Sequence, residues 1–410
     1  MTTQEIHLLR DLASRVAEIA AHPDMDRRRQ DWYRQNSLQP GKPLVFASPE
    51  GSWGELIPLE TYQVQDESLR GWEAFLRTRI YVWEHFADDQ VIDTRLSVPH
   101  VSTDSGWGLQ VNYHTSDSAP RGSYIWDPPL KDPADLAKLH FPEVEIDWPA
   151  TERRLAQLHE IFDGILDVEL RGWAHGGAGM IQDLSRLRGL QQIMLDMIER
   201  PEWLHEAMTF LRDGLAHRLD SLEEQGLLSL NNGNDYNCSG AWGFTHDLPA
   251  PDFAGRVRPQ DQWGFADAQE VSEISPRMFW EFVLSYQITI LERFGLNTYG
   301  CCEPLHDRFE YVLRIPRLRR VSVSPWCDRE ISAEALRGRC VFSWKPNPAR
   351  LAAIHFDEDL ARREIRETLR MAEGCVVEMV MKDTHTVNHD PSRFDRWTRI
   401  AQKEAEAAVS

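Results

Sequence analysis

The segment Cys301-Cys302-Glu303-Pro304 concentrates more reactive chemistry than any other in this chain: two thiols and a carboxylate directly after the apolar run 296–299. Other short apolar runs end in the same manner. Run 165–170 leads into Arg171, Trp173 and His175, and run 227–230 into Asn231, Asn232, Asn234 and Asp235. Run 320–324 leads into Trp326, Cys327 and Asp328, and run 340–344 ends in Trp344-Lys345. Run 375–381 is followed by Lys382-Asp383-Thr384-His385. Thiolate, carboxylate and imidazole are the ligand set of zinc, whose catalytic sites use three protein ligands and keep one position open. Cys301, Cys302, Cys327, Glu303 and His385 are the candidate ligands. Against this stands the usual role of a free cysteine as a small buried hydrophobe. No Cys-x-x-Cys or His-Glu-x-x-His spacing supports a metal.

The remaining candidates each carry a plainer reading beside the chemical one. Asp383 can fix the tautomer of His385, making Asp383, His385 and Glu303 the expected catalytic groups, while a histidine after a strand also simply caps a turn. Lys345 binds a carboxylate or is solvated, and solvation is the commoner outcome. Asn232 and Asp235 read first as turn residues and second as substrate hydrogen-bond partners. Trp173, Trp326, Trp344 and His175 fall where a pocket would use them. Cys340 and Cys375 open their strands and read as core; Cys238 suits either role.

The elements that must position these groups follow a rhythm. Apolar runs alternate with amphipathic helices, one from Pro201 and another capped by Ser275 with Pro276 in its first turn. Strands alternating with helices imply a parallel sheet. The expected fold is α/β, a (β/α)8 barrel, whose reactive groups sit beyond the C-terminal strand ends. Residues 1–150 form an N-terminal elaboration of helices with a hairpin or two, and 151–410 the barrel, as one continuous unit. A capping box, Thr2 to Glu5, opens the first helix. Gly176-Gly177-Ala178-Gly179 is in the wrong register for a dinucleotide fingerprint.

Composition narrows the partners. The 410 residues carry 45 Lys and Arg against 65 Asp and Glu, a formal charge of −20 that disfavours nucleic acid and anionic membranes. No signal peptide or apolar span is expected, and six cysteines in such a chain suit a reducing, cytoplasmic setting. The 15 Trp exceed what the core needs, leaving some for a pocket.

Several segments together resemble the uroporphyrinogen decarboxylase-like superfamily: Arg27-Arg28-Arg29-Gln30-Asp31-Trp32-Tyr33-Arg34-Gln35-Asn36, Glu50-Gly51-Ser52-Trp53-Gly54-Glu55-Leu56, the stretch 274–282, and Tyr299-Gly300-Cys301-Cys302-Glu303-Pro304-Leu305-His306. The resemblance runs over most of the chain. It implies a barrel and one of two chemistries, porphyrinogen decarboxylation or zinc-assisted methyl transfer involving a corrinoid protein. The chain lacks the Arg-rich substrate motif of the decarboxylases, and its acidity suits a polycarboxylate poorly. The methyltransferase branch places a His-x-Cys pair after one strand and a further Cys after the last. Here the first place holds Cys301 and Cys302 without the histidine, and the last holds His385.

The leading expectation is therefore a zinc-dependent methyltransferase acting on a small methyl donor or acceptor (methyl ether, amine or thiol). Its methylcobalamin or other corrinoid would be carried by a separate protein, since too few residues follow Asp383-x-His385 for a cobalamin domain. A homodimer is compatible with this. The alternatives are a cofactor-free decarboxylase or lyase with Asp and Arg at the rim, and a non-catalytic ligand-binding barrel.

Overall fold

A computed structural model describes residues 2–115, 124–174, 176–237, 239–240 and 242–409. Nine parallel strands organise it: β1 (Leu44–Ala47), β2 (Arg95–Pro99), β3 (Asp167–Arg171), β4 (Gly176–Gly177), β5 (Trp263–Ala266), β6 (Leu296–Tyr299), β7 (Leu318–Val323), β8 (Val341–Trp344) and β9 (Val376–Met381). Seven form one sheet in the order β1-β9-β8-β7-β6-β5-β4, every pairing parallel. Strands β2 and β3 pair separately. The fold is thus α/β with a seven-stranded parallel sheet, and helices fill the crossovers as parallel pairing requires.

Side chains do the joining where the ladders stop. Asn231 Nδ2 donates to the carbonyls of Ala174 and Trp263, and Gln262 Nε2 donates to those of Trp173 and Ser229. At the other edge the Asp89 carboxylate accepts from Val45 N at 2.8 Å, and Gln90 Nε2 donates to Ala47 O at 3.1 Å. Run 227–230 contributes only a single bridge, Leu228 to Trp173, because side chains satisfy the backbone that a ladder would have used.

Elsewhere local signals and structure agree closely. Thr2 and Glu5 form the reciprocal cap of the helix Thr3–Ala20, and Leu9, Ala13, Val16 and Ile19 are its buried face. That face packs with Leu69 and Leu76 of the helix Glu67–His85 in an apolar cluster that also takes Leu96 and Val98 of β2. The charged stretch 24–29 lies inside the helix Pro23–Asn36, which precedes β1. Asn112–Thr115 pairs antiparallel with Tyr124–Asp127, a hairpin of the expected kind. The helix from Ser275 is interrupted by a π-turn at Trp280–Leu284. No helix among the described residues is long and apolar enough to cross a membrane.

Candidate functional site

Gly300 makes the turn that delivers the thiols. It follows β6 with φ +90°, and a Cβ there would sit 2.6 Å from Leu305 Cδ1 and 3.3 Å from Ser322 Cβ. Glycine alone satisfies both demands. Gly300→Ala is expected to cost about 1–3 kcal/mol through strain and crowding. Urea unfolding measures this directly, and an unchanged midpoint would count against the turn's need for glycine.

Beyond that turn four reactive side chains meet. The Cys301 and Cys302 sulfurs lie 3.6 Å apart. Lys382 Nζ donates to Cys301 Sγ at 3.3 Å and lies 3.2 Å from Asp383 Oδ2, while Cys302 Sγ donates to the same Asp383 oxygen at 3.4 Å. The cluster joins the ends of β6 and β9, as the strand-end reading requires. The Cys302 hydrogen bond and the Lys382 ammonium lower the Cys301 thiol to about 6, against the burial that opposes ionisation. Cys302 moves the opposite way, because its contact with Cys301 and its burial both favour the thiol and a second anion beside the first is unfavourable. The two shifts are opposed, favouring the thiolate at Cys301 and the thiol at Cys302.

Around this pair the carboxylates divide their work. Glu303 is buried with both oxygens accepting backbone N–H groups, from Ala268 at 3.0 Å and Cys301 at 2.9 Å. Asp267, directly after β5, is also buried. Desolvation, then the charges of Glu303 and Cys301, raise it to about 8, so it holds its proton at neutral pH. Glu50 Oε2 accepts from Asp383 N at 3.1 Å, and burial followed by Asp383 raises its pKa. Both Glu50 and Asp383 have left-handed backbone, at φ +46° and +56°, a concentration of strain typical of sites whose surroundings hold them in place. Glu55 steadies the same loop by accepting from Val387 N and His389 N.

The expected metal set is only partly gathered. Cys301 and Cys302 adjoin, but Cys327 Sγ accepts from Leu305 N at 3.3 Å and lies 3.6 Å from Ser324 Oγ, a packed thiol whose pKa burial raises. His385 is exposed, and Asp383 turns to Cys302 and Lys382 rather than to its imidazole. Among the described residues no three His, Cys, Asp or Glu side chains form a metal-binding group. The positive charge beside the thiolate is a lysine.

Of the expected substrate residues, Trp173 and Asp235 share a cavity of about 670 Å³, and Trp326, 65% exposed, lines a second of about 580 Å³ with Cys302. Asn232 spans its own turn, Nδ2 to Leu248 O and carbonyl from Thr245 N, the plainer of its two expected roles. Trp344 is buried within β8. Lys345 corrects an expectation: it is buried, not solvated, and donates to Ser343 Oγ and Ser343 O. His175 and Cys238 lie outside the described residues. Cys340 is buried and Cys375 partly so, both at the strand beginnings as expected.

Asp267 was missed because Trp-Gly-Phe-Ala lacks the β-branched residues that mark a strand. Its signal is the Asp that follows that apolar tetrad, as polar groups follow every other run. Lys382 was visible after β9 but had no partner in the sequence to suggest its role.

One solved structure, described as a methyltransferase from Methanosarcina mazei, matches 92% of this chain and 98% of its own length with a TM-score of 0.50 and 12% identity. At that identity the likeness is one of fold. No protein-family model matches the chain, and no curated protein matches it.

Proposed function

We propose that a chain with this fold, and a lysine-held thiol pair at its strand ends, is a methyltransferase whose reacting atom is Cys301 Sγ. The observation that carries the reading is the contact of Lys382 Nζ with Cys301 Sγ at 3.3 Å, which keeps a nucleophile ionised where strand ends deliver reactive groups. The sheet and the β2–β3 pair are proposed to close into the expected barrel, supported by the Asn231 and Gln262 bridges.

In the first step the Cys301 thiolate attacks the methyl carbon of an activated methyl ether or comparable donor. The S–C bond forms as the C–O bond breaks, and the leaving oxygen takes the proton of Asp267. Thiolate, neutral acid and ether become thioether, carboxylate and alcohol, so charge is conserved. Asp267 suits this donation because burial keeps it protonated at neutral pH. Lys382 and Cys302 hold the sulfur in place, and Glu303 fixes the turn through its two backbone contacts. The ligand set expected for zinc does not fit the described arrangement, so no step runs through a metal. Restoring the thiolate requires a second methyl acceptor, for which a corrinoid on a separate protein stays the proposed carrier.

Methyl iodide is the simplest probe. Peptide mass spectrometry of briefly treated protein is expected to find methylation first at Cys301, on the order of tenfold faster than at Cys340 or Cys375 at pH 7. Even labelling across the cysteines would overturn the assignment.

A further inference from the structure

We infer that the cavity of about 670 Å³ beside β2 and β3 binds a small aromatic acid, its carboxylate on Arg79 and its ring among Phe75, Trp173 and Trp242. The volume suits a small ligand. Nothing in this inference depends on the chemistry at Cys301, which does not line the cavity.

Three guanidiniums face this space in a chain of formal charge −20. Two are already engaged. Arg95 Nη2 donates to Asp235 Oδ1 at 3.0 Å, and Arg171 donates to the same oxygen and to Leu230 O. Arg79 is different. Among the described residues its guanidinium makes no hydrogen bond or ion pair; it lies 3.6 Å from the centroid of the Phe75 ring. Burial opposes its charge most, Asp93 is near enough to favour it, and Arg95 opposes it. Counting Asp93 and Asp235 against Arg79, Arg95 and Arg171 leaves one positive charge in excess. A guanidinium in that position is a donor fork without an acceptor, and a carboxylate fits it in two parallel hydrogen bonds.

The rest of the wall holds further unpartnered polar atoms. Trp242 Nε1, His100 Nδ1 and Asn234 Oδ1 are buried without a partner, and all three residues line the cavity. Buried polar groups are ordinarily satisfied, so the orphan indole N–H of Trp242 and the free guanidinium around one space call for a ligand with acceptor oxygens. The aromatic faces supply its other half. Trp173 and His100 lie nearly parallel, 14° apart with centroids 6.5 Å apart, and Phe75 underlies the Arg79 guanidinium. A flat ring meets stacking surfaces there, and its acid group meets the cation.

Benzoate is the probe, titrated into the full chain with tryptophan fluorescence and calorimetry as readouts. Saturable binding is expected, with benzamide, the neutral isostere, weaker by on the order of tenfold. Arg79→Met is expected to weaken benzoate by about tenfold or more, and Arg79→Lys by less, since a point charge replaces a fork. Arg79 holds no described residue by a hydrogen bond, so these variants should fold; circular dichroism and thermal melts confirm that before titration. Equal affinity for benzamide, an unchanged affinity in Arg79→Met, or no benzoate binding up to roughly 10 mM would each overturn the proposal. Inorganic phosphate or acetate competing as well as benzoate would overturn its aromatic half.

Discussion

Replacing Lys382 by methionine is expected to raise the titration midpoint of Cys301 above about 6, because the pull of the ammonium is lost while the larger effect of the Cys302 hydrogen bond remains. At pH 7 methyl transfer should fall by on the order of several-fold, because a larger share of the thiol then carries its proton. The shape of the pH profile changes as well. In the proposed reaction Cys301 is the group needed in its basic form, and its depressed midpoint means thiolate is present above about 6 and lost as pH falls through it. In the same proposal Asp267 is needed in its acid form, and its raised midpoint means that the proton is present below about 8 and lost above it. The intact protein should show a bell between these limits. In Lys382→Met the acid limb climbs into the basic limb, so the bell narrows and its maximum falls. Thiolate ultraviolet absorbance reads the Cys301 limb independently of turnover. A midpoint that stays near about 6 in the variant would remove Lys382 from the account.

What the chain announces in advance, and what it conceals, divides along a physical line. Local signals survive folding: the Thr2–Glu5 cap, the Pro at the start of Pro201–Glu224 and the β6 run Leu296–Tyr299 all stand where short-range chemistry puts them. The strand-end rule was enough to find Cys301, Cys302 and Asp383. Long-range pairing was not readable. Nothing near Cys327 says that Leu305 N will occupy its sulfur, and nothing near His385 says that Asp383 will turn toward a thiol 81 residues away instead. Lys345 shows the limit most clearly. A lysine before Pro-Asn-Pro suggests a solvated loop, yet the carboxylate that makes its burial tolerable, Glu378, comes from the next strand. Likewise Gln35 and Asn36, noticed only as part of a resemblance, prove to be buried partners of Glu378 and Arg320.

Glu378→Leu is expected to destabilise the fold by about 3–5 kcal/mol, the cost of leaving buried cations without their anion. Glu378 is fully buried on β9. Its carboxylate lies 2.9 Å from Arg320 Nε, accepts from Gln35 Nε2 at 2.6 Å and accepts from Ser343 Oγ, which in turn takes the Lys345 ammonium. One carboxylate thus ties the helix Pro23–Asn36 to strands β7, β8 and β9 beneath the reactive rim. Glu378→Gln, which keeps an acceptor and loses the charge, should cost less. The double variant Glu378→Leu with Arg320→Met should recover part of the loss, because it removes the cation stranded by the first change. Urea unfolding at fixed pH reports all three. Lys345 adds a pH signature: burial lowers its pKa to about 7, so between there and the usual lysine value near about 10.4 the unfolded chain binds the extra proton. Stability from this group therefore rises with pH across that window. Lys345→Met should flatten that rise while leaving the Arg320–Glu378 pair intact. Were Glu378→Leu to unfold at the same urea concentration as the unaltered chain, the network would be an ornament of the sheet rather than a tie across it.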